Sequence, residues 1–371
     1  MTKKIVISGY YGFDNLGDEA ILYSIINLFR EKSDEIEITV LSQSPAVTSL
    51  RYGVNSIQRN NFVKIIKTLK KSDVFLSGGG SLLQDVSSFR SVFYYLALVF
   101  LANIMGNKTI FYAQGIGPLN KKISRKLLKW IGNNTDLITV RDHNSAQLLK
   151  EIGIRADLIE ETVDPVYGMN SARIRELTTD QKNNKLIADF LKNAEIDRSK
   201  NIIGVSPRFW GDNEYLDSMA RAADYLQVKS EARILILPMH LEEDLEVCQK
   251  LKDKMKKPAV ILKKQLEPAA MISFFRIFDF FLGVRLHSLI FAAINEVPFV
   301  GISYDPKVDS LLKELNLETS LTTENCNYKD LEKVIDKFWN KRDEISSELG
   351  VKMKNYRKEA EKNAERVLNL I

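Results

Sequence analysis

Short apolar runs, many of them rich in β-branched residues, alternate with segments of helical apolar spacing along most of this chain. The first pair is KKIVIS, residues 3–8, and LGDEAILYSIINLFREK, residues 16–32, which has two acidic residues in its first turn. Strands that alternate with helices in this way favour a parallel, doubly wound sheet. The alternation stops after residue 165 and restarts at residue 201, so we predict an α/β chain with two Rossmann-like domains.

The domain boundaries follow from where this pattern is interrupted. A length of 371 residues with 45% hydrophobic content is sufficient for two cores. The interruption at residues 165–200 is polar, and the last 46 or so residues are charged with alternating sign at helical spacing. We predict an N-terminal Rossmann-like domain at 1–168, a connection at 169–200, a C-terminal Rossmann-like domain at 201–325 and C-terminal helices at 326–371.

The composition argues against several classes of protein. Cys248 and Cys326 lie far apart without CxxC spacing, and no cluster of His and Cys has metal-ligand spacing, so neither disulfides nor a metal site is predicted. The chain starts with only a short apolar run before Gly9, which is typical of a strand and not of a signal peptide. The longest apolar stretch, residues 91–106, is shorter than the roughly 20 residues that span a bilayer and predicts a buried helix. We therefore expect a cytoplasmic protein.

Basic residues cluster in the N-terminal half, although the formal net charge of the whole chain is only +5. The two clusters are Lys64, Lys67, Lys70 and Lys71, and Lys121, Lys122, Arg125, Lys126 and Lys129. One interpretation is a solvated helix face. The other is attraction to anionic lipid headgroups at the cytoplasmic face of the membrane, or to a phosphate-bearing substrate. A nucleic-acid partner is not expected.

Polar and glycine-rich segments follow the predicted strands, at the position where ligands bind in open α/β sheets. Two such domains facing each other would enclose a cleft. GYYGFDNLGDEA, after the first strand, lacks both GxGxxG and the Walker lysine, so it gives little support for a nucleotide site. Asn15 and Asp18 in this segment are candidates to hydrogen-bond sugar hydroxyls. A tight turn before the helix is the alternative.

A run of three glycines occurs in GGGSLLQD, residues 78–85. Glycines without Cβ atoms let backbone N–H groups approach a ligand, so Gly79 and Gly80 are candidates for sugar or phosphate contact. We expect Gln84 to lie one turn into a following helix and to contact the acceptor. A purely structural turn is the alternative.

Three further polar residues stand at predicted strand ends. Arg141 is a candidate anion-binding residue, although it could instead pair with the neighbouring Asp142. Arg208 follows a strand of the second domain, and a plain surface arginine is the alternative. His240 precedes several acidic residues at a helix start and is a candidate for contact with the acceptor or for helix capping.

The segment GVRLHS, residues 283–288, places an arginine and a histidine between a buried strand and a helix. An anion bound there would meet Arg285 together with the helix N-terminus. A neighbouring phosphate would favour protonated His287, which makes this histidine a candidate general acid. The alternative is that both side chains are satisfied within their own domain.

Seven motifs, in order from residue 10 to residue 308, resemble the polysaccharide pyruvyl transferase family, in particular its bacterial cell-wall-polymer branch. They are YYGFDNLGDEAIL, LSGGGSLLQD, AQGIGPL, VRDHNSAQLLKEIG, DPVYG, GVSPR and RLHSLIFAAINEVPFVGISYDPKV. The resemblance implies a GT-B-like fold and transfer of the pyruvyl unit of phosphoenolpyruvate, as a co-substrate, to two hydroxyls of a sugar. The product would be a cyclic ketal and free phosphate, without a cofactor.

In that branch the acceptor is typically an N-acetylmannosamine unit of a lipid-linked precursor, pyruvylated across its 4- and 6-hydroxyls, and the polymer anchors surface-layer proteins. The Arg-Leu-His motif of the family, implicated in phosphoenolpyruvate binding and catalysis, falls on Arg285, Leu286 and His287. We expect Arg208 and Arg141 to hold the donor as well. The expected acceptor-binding residues are Asn15, Asp18, Gly79, Gly80, Gln84 and His240.

Two other functions are compatible with the same pattern. A nucleotide-sugar glycosyltransferase of GT-B shape would use a nucleotide site in the second domain. A non-catalytic binder of lipid-linked saccharide would use the same cleft and the basic helices without turning over a donor.

Overall fold

The computed structural model describes residues 2–86, 89–169, 181–194 and 196–370. The chain divides into two compact units, which we call unit 1 (Met1–Gly168 with Tyr356–Ile371) and unit 2 (Met169–Asn355). The predicted connection at 169–200 includes residues 170–180 and 195, which lie outside the described residues.

Unit 1 is an α/β unit built on a single parallel sheet. Its strands are β1 (Lys3–Ser8), β2 (Ile36–Ser42), β3 (Asn55–Gln58), β4 (Val74–Ser77), β5 (Gly80–Leu83), β6 (Lys108–Ile116), β7 (Leu137–Val140) and β8 (Ile159–Glu161). Its helices are α1 (Leu16–Lys32), α2 (Pro45–Tyr52), α3 (Phe62–Leu69), α4 (Phe89–Ile104), α5 (Lys122–Gly132) and α6 (His143–Ile152). Short 3-10 helices occupy Ala156–Leu158 and Pro165–Gly168.

The strand order of this sheet is β3-β2-β1-β4-β6-β7-β8, and β5 pairs with the C-terminal half of β6. All pairings are parallel, and Ser8 of β1 lies beside Ser77 of β4. The central strands β4 and β6 are buried along nearly their whole length, because helices cover both faces of such a sheet. The order reverses between β1 and β4, which makes the carboxyl ends of these two strands the topological switch point of unit 1.

Three strands of this sheet were not predicted from the sequence. β3 and β8 are short, half-buried edge strands whose sequences, NSIQ and IEE, are too polar to give a buried-strand signal. The glycine run continues into β5 and not into a helix, so the expected helical position of Gln84 is wrong. β5 forms because Leu82 and Leu83 are buried while its backbone pairs with β6.

Unit 2 also contains a parallel sheet, in the order β11-β10-β9-β12-β13. Its strands are β9 (Ile202–Ser206), β10 (Arg233–Ile236), β11 (Ala259–Ile261), β12 (Phe280–Gly283) and β13 (Phe299–Gly301). Its helices are α7 (Gln181–Asn193), α8 (Tyr215–Ser230), α9 (Leu241–Lys254), α10 (Pro268–Phe274), α11 (Leu286–Ile294), α12 (Pro306–Glu314) and α13 (Tyr328–Asn340), with a 3-10 turn at Phe275–Ile277. The restart of the strand-helix alternation at residue 201 predicted this second parallel sheet, whose switch point lies between β9 and β12.

The final helix, α14 (Arg342–Asn369), starts in unit 2, and its last turns belong to unit 1. Ala360, Ala364 and Val367 are buried there, and Arg366 Nε lies 2.7 Å from Glu160 Oε2. The second half of this helix is therefore an integral part of unit 1.

The long apolar helix α4 is only partly buried. Val92, Leu96 and Val99 pack into the core of unit 1, whereas Phe93 and Ile104 are 56% and 61% exposed. The expectation of a wholly buried helix at 91–106 is therefore wrong for one face of the helix. Within the described part of the chain, no helix has both the length and the apolar character needed to cross a membrane.

Asp85 fixes the start of α5 from a distant segment. Its carboxylate accepts hydrogen bonds from Asn120 N (2.7 Å), Lys121 N (2.9 Å) and Ser124 Oγ (2.7 Å). Burial opposes the ionised form, but these three bonds and the charge of Lys121 lower the pKa of Asp85 below its usual value. A negative charge at a helix N-terminus is also favoured by the helix dipole.

We expect Asp85→Ala to lower the free energy of unfolding by about 3 kcal/mol, because three donors lose their acceptor. Urea unfolding measures this, with the exposed Asp157→Ala as the control that should change it by less than about 0.5 kcal/mol. The pKa of Asp85 is depressed in the folded protein. Its contribution to the free energy of unfolding is therefore present above the unfolded pKa of about 3.9 and is lost as the pH falls through the lower pKa of the folded state. An equal loss in the control variant would contradict this role.

Candidate functional site

Two arginines leave the sheet of unit 2 on either side of its switch point. Gly283, the last residue of β12, pairs with Ser206, the last residue of β9. Arg208 lies two residues beyond β9, and Arg285 lies two residues beyond β12. The topology therefore brings both cations to the strand ends where ligands bind in this class of fold.

Arg285 has a carboxylate partner within unit 2. Its Nη2 donates a hydrogen bond to Asp244, which is fully buried, and the same Nη2 lies 3.8 Å from Glu243 Oε2. Asp244 also accepts from the backbone N–H groups of Met239 (3.1 Å) and His240 (2.9 Å). The alternative considered from the sequence, that Arg285 is paired within its own domain, is therefore present for Nη2. Buried Arg285 Nε, in contrast, has no hydrogen-bond partner among the described residues.

Arg208 is a half-buried cation held by aromatic side chains. Its Nη1 donates to Tyr304 Oη (2.6 Å), and its guanidinium lies 4.6 Å from the centre of the Tyr304 ring and 5.8 Å from that of Trp210. Among the residues that the structure describes, no carboxylate pairs with Arg208. Its positive charge is therefore available to an anion.

Buried Tyr215 holds the loop that carries Arg208. Its hydroxyl donates to the backbone carbonyl of Arg208 and accepts from the backbone N–H of Arg208 (2.9 Å). Burial raises the pKa of Tyr215, and the hydrogen bond to Arg208 opposes this effect only in part, while the charge of Asp244 adds to it. The phenol therefore stays neutral and holds the backbone of the Arg208 loop.

The two histidines of unit 2 lie at helix starts. Arg285 is the N-cap of α11, which begins at Leu286, so half-buried His287 lies in the first helical turn and not between the strand and the helix, as the sequence predicted. His287 packs towards Phe291, with ring centroids 6.5 Å apart. His240 is the N-cap of α9, and its Nδ1 accepts from Glu243 N (3.3 Å), which is the capping alternative considered for this residue. It lies in unit 2, beside Asp244.

The switch point of unit 1 is formed by the loop after β1 and the glycines after β4. Buried Tyr11 lies across it, because a Cβ on Gly78 would stand 2.4 Å from the Tyr11 hydroxyl. This hydroxyl has no hydrogen-bond partner within the described ranges. Burial, together with the charges of Asp18, Glu19 and Asp164, raises the pKa of Tyr11 well above its usual value. It is therefore a neutral donor at the strand ends.

Protein atoms lie close to the positions that Cβ atoms would take on the glycines of this run. A Cβ on Gly79 would lie 2.8 Å from Ile21 Cγ2, and one on Gly80 would lie 3.0 Å from Asp18 Oδ1. Gly80 also has φ +98°, which disfavours any other residue. The turn itself therefore requires these glycines, whichever ligand their backbone contacts.

The remaining acceptor candidates of unit 1 lie at the start of α1 and after β5. Asn15 is the N-cap of α1 and accepts from Gly17 N (3.0 Å). Asp18 is half-buried in the first turn of α1, against Gly80. Gln84 accepts from Val86 N (3.1 Å) after the end of β5. Asn15, Asp18 and the glycines come together at the switch point, and Gln84 follows at the end of the neighbouring strand.

Arg141 belongs to unit 1 and is buried there. Its Nη1 lies 2.5 Å from Asp164 Oδ2, and its Nη2 donates to Ser81 Oγ (3.1 Å). Although burial opposes it, the charge of Asp164 and then that of Asp142 raise the pKa of Arg141. The predicted alternative partner, Asp142, instead caps α6 by accepting from Ser145 N (2.8 Å). Arg141 thus holds the Asp164 segment against the glycine turn.

Two polar residues at the strand ends of unit 1 were not predicted as site residues from the sequence. Gln114 Nε2 donates to Ser77 Oγ (2.7 Å) and to Gly78 O (3.0 Å), while its buried Oε1 has no partner in the described part of the chain. Its position in the AQGIGPL motif was the available signal. Arg59 gave no signal, because it follows the polar strand β3.

Arg59 is surrounded by aromatic rings. Its guanidinium lies 5.1 Å from the centre of the Phe13 ring, 4.6 Å from that of Tyr94 and 5.6 Å from that of Tyr95. Phe13 in turn stacks on partly exposed Tyr10 with centroids 4.0 Å apart. Arg59 Nη1 is buried without a hydrogen-bond partner, and no described carboxylate pairs with this side chain. This arrangement suits a ligand with both a sugar ring and an anionic group.

A cavity of about 570 Å³ lies at the opposite end of the unit 2 sheet. Its lining includes Asn201 and Ile202 at the start of β9 and Asp279 just before β12. These positions are at the amino ends of the strands, whereas ligands of this fold bind at the carboxyl ends. We therefore place the candidate site at Arg208 and Arg285 and not in this cavity.

Several solved structures have a similar fold. Alr3699/HepE from Anabaena, in complex with UDP and glucose, matches at TM-score 0.65 and 12% identity, over 99% of both chains. UDP-GlcNAc 2-epimerase from Neisseria meningitidis, bound to UDP-GlcNAc, matches at TM-score 0.66 and 12% identity, over 99% of this chain and 98% of the epimerase. A glycosyltransferase from Rickettsia africae matches at TM-score 0.64 and 12% identity, over 100% and 97%. These similarities confirm the α/β, GT-B-like fold.

Sequence comparison identifies the family. No curated protein sequence matches this chain. The model of the polysaccharide pyruvyl transferase family matches residues 15–306, which is most of the chain and includes the glycine run after β4 and the switch point of unit 2. The chain belongs to the polysaccharide pyruvyl transferase family.

Proposed function

We propose that this protein transfers the pyruvyl unit of phosphoenolpyruvate to two hydroxyls of a sugar and releases phosphate. The family match over residues 15–306 carries this proposal. In the reaction, the methylene carbon of the donor gains one proton and becomes a methyl group. The bond between C2 of the donor and the phosphate oxygen breaks, and both hydroxyl oxygens bond to C2. The two hydroxyls lose two protons, of which one goes to the methyl group and one to phosphate, so the reaction needs no redox partner.

The cations of unit 2 support binding of the donor there. Phosphoenolpyruvate carries a phosphate and a carboxylate, and forked guanidinium groups suit both. Arg208 has no carboxylate partner among the described residues, and Arg285 keeps a buried N–H group without an acceptor. In the proposed complex these two arginines hold the two anionic groups. Arg141 was also expected to hold the donor, but it lies in unit 1, where its guanidinium is paired with Asp164.

His287 supplies the proton in this proposal. It is half-buried in the first turn of α11, two residues from Arg285. A phosphate held by Arg285 favours the protonated imidazole, which then protonates the methylene carbon or the departing phosphate. Either step produces the electron-poor carbon that the first sugar hydroxyl attacks.

The acceptor binds to unit 1 in this proposal. Asn15, Asp18 and Gln84 orient its hydroxyls, together with the backbone of Gly79 and Gly80, while the aromatic rings around Arg59 stack on the sugar. We propose N-acetylmannosamine of a lipid-linked cell-wall-polymer precursor as the acceptor and the cytoplasmic face of the membrane as the location. The product is then a 4,6-ketal on a polymer that anchors surface-layer proteins. His240 was also expected to contact the acceptor, but it lies in unit 2 and caps α9.

Arg208→Met tests the donor site without disturbing an ion pair. We expect the KM for phosphoenolpyruvate to rise about 10- to 100-fold, since one charge-assisted contact is lost, while the melting temperature stays within about 2 °C. Arg233→Met, at the amino end of β10, is the matched control and should leave KM unchanged. An unchanged KM in the Arg208 variant would exclude it from the donor site.

Phosphate release tests the reaction class. We expect release from phosphoenolpyruvate only when a sugar acceptor is also present, and no release of UDP from UDP-GlcNAc or UDP-glucose. UDP release would instead assign the protein to the nucleotide-sugar transferases that its fold resembles. Binding of the acceptor without phosphate release under any donor condition would indicate a non-catalytic saccharide binder.

A further inference from the structure

Three adjacent segments of unit 1 carry positive charge and no acidic residue. They are α3 with the two residues after it, α4 with the turn after it, and α5 with its flanking residues. Residues 62–71, 89–106 and 119–134 contain ten Lys and Arg and no Asp or Glu, whereas the whole chain has 53 basic and 48 acidic residues. All ten are exposed, and none forms a salt bridge with a described carboxylate.

The same helices expose large apolar side chains. On α3, α4 and α5 these are Phe62, Val63, Phe93, Phe100, Ile104, Ile123 and Trp130. Trp130 is 54% exposed, although tryptophan is among the costliest side chains to leave in water. So many exposed apolar side chains on neighbouring helices indicate a surface that binds a partner or a membrane.

Contacts at both ends of α4 make the three helices one continuous layer. Tyr94 Oη donates to Arg59 O just before α3 (2.7 Å), and Asn107 Nδ2 donates to Leu69 O at the end of α3 (3.0 Å). On the other side, the rings of Phe100 and Trp130 lie with centroids 5.0 Å apart, joining α4 to α5. The inner faces of all three helices pack into one core, which leaves their outer faces to form a shared surface.

We propose that the outer face of α3, α4 and α5 binds the surface of an anionic lipid bilayer. Lysine and arginine attract the phosphate and carboxylate headgroups of such a membrane, while phenylalanine and tryptophan insert at the boundary between headgroups and acyl chains. The cations and exposed apolar side chains of this surface are not among the donor and acceptor residues named above, so membrane binding is a separate property of the protein.

The combination of charges and apolar groups favours a bilayer over a nucleic acid. A nucleic-acid surface would pair its cations with groups that stack on bases or bond to them. Here aliphatic Val63, Ile104 and Ile123 are exposed between the cations, and these have no counterpart on a phosphate backbone. An acyl-chain boundary accommodates all of them.

Vesicle sedimentation with the full chain tests this proposal. We expect binding to phosphatidylcholine vesicles containing 30% phosphatidylglycerol and little binding to pure phosphatidylcholine, as for a basic amphipathic surface. Lys64→Glu/Lys122→Glu/Lys126→Glu should weaken binding at least about a hundredfold, since each lysine contributes about fivefold. Phe93→Ser/Trp130→Ser should weaken it at least about tenfold.

Matched controls lie in unit 2. Lys252→Glu/Lys256→Glu/Lys257→Glu makes the same charge change at exposed positions, and Val228→Ser/Val351→Ser removes two exposed apolar groups. Both should bind vesicles like the parent, and all variants should keep its circular dichroism and phosphoenolpyruvate-dependent phosphate release with a soluble acceptor. Phosphate release separates this proposal from the reaction, because loss of vesicle binding should leave turnover of a soluble acceptor intact.

Insertion depth gives a second measurement. In a Trp210→Phe/Trp339→Phe background, brominated lipid should quench Trp130 fluorescence when phosphatidylglycerol is present. No vesicle binding, equal loss of binding in the unit 2 controls, or absence of quenching would overturn the proposal. So would tighter binding to a single-stranded RNA oligonucleotide that the Phe93→Ser/Trp130→Ser variant leaves unchanged.

Discussion

His287→Ala should reduce kcat by about 10²- to 10⁴-fold, which is the range for removal of a positioned general acid. The side chain is half-buried in the first turn of α11, and alanine is compatible with that turn. The fold should therefore persist, and the KM for phosphoenolpyruvate should change much less than kcat. Steady-state phosphate release with saturating donor and acceptor measures both constants.

His143→Ala is the matched control for this result. His143 is also in the first turn of a helix, but it lies in unit 1, with Nδ1 3.1 Å from Glu161 Oε1 and its side chain largely exposed. Its substitution should leave kcat and KM unchanged. Near-normal turnover in His287→Ala with an intact fold would remove His287 from the chemistry.

Arg285→Met should have two separable effects. Loss of the guanidinium leaves the buried Asp244 carboxylate without its cation, so the free energy of unfolding should fall by about 3 kcal/mol. The variant should also lose measurable saturation with phosphoenolpyruvate, because the donor loses a forked anion-binding group. Arg285→Lys should recover most of the stability but little of the donor affinity, since the ammonium cannot reproduce the fork.

The double variant Arg285→Met/Asp244→Asn separates the two roles. Asparagine still accepts from the backbone N–H groups of Met239 and His240 but carries no charge. We expect unfolding measurements to show partial recovery of stability and donor titrations to show none. Recovery of phosphoenolpyruvate binding together with stability would mean that Arg285 acts only through its ion pair.

The alternation of apolar runs and helical segments was sufficient to predict both parallel sheets, because central strands are buried on both faces. The edge strands β3 and β8 were not predicted, because each is partly exposed to solvent and has a polar sequence. β5 was mistaken for a helix start because a four-residue apolar segment has no distinguishable period. The exposed side of α4 was also missed, since its Phe and Ile residues are as apolar as those of the core.

The strand-end positions of Arg208 and Arg285 followed from the sequence, but their partners did not. Asp244 lies 41 residues before Arg285, and its acidic neighbours are equally well explained as helix-start charges. Arg141 likewise pairs with Asp164 and not with the adjacent Asp142. Such pairings depend on three-dimensional packing between loops, which periodicity and spacing do not encode.

The position of Arg59 shows the same limit at the unit 1 strand ends. Its aromatic neighbours come from the loop after β1 and from α4, at sequence separations of about 35 to 46 residues. Strand order is what brings these segments together, because β3 and β1 both flank β2 in the sheet. A list of motifs does not reveal this contact.

Mass spectrometry of the acceptor is the most direct test of the central claim. The purified protein is incubated with phosphoenolpyruvate and a synthetic acceptor that contains N-acetylmannosamine, free or lipid-linked, while released phosphate is quantified. We predict that the acceptor gains the mass of one pyruvyl ketal for each phosphate released, and that His287→Ala loses both signals together. No mass gain on any of these acceptors, or a gain equal to a sugar from a UDP-sugar donor, would contradict the account.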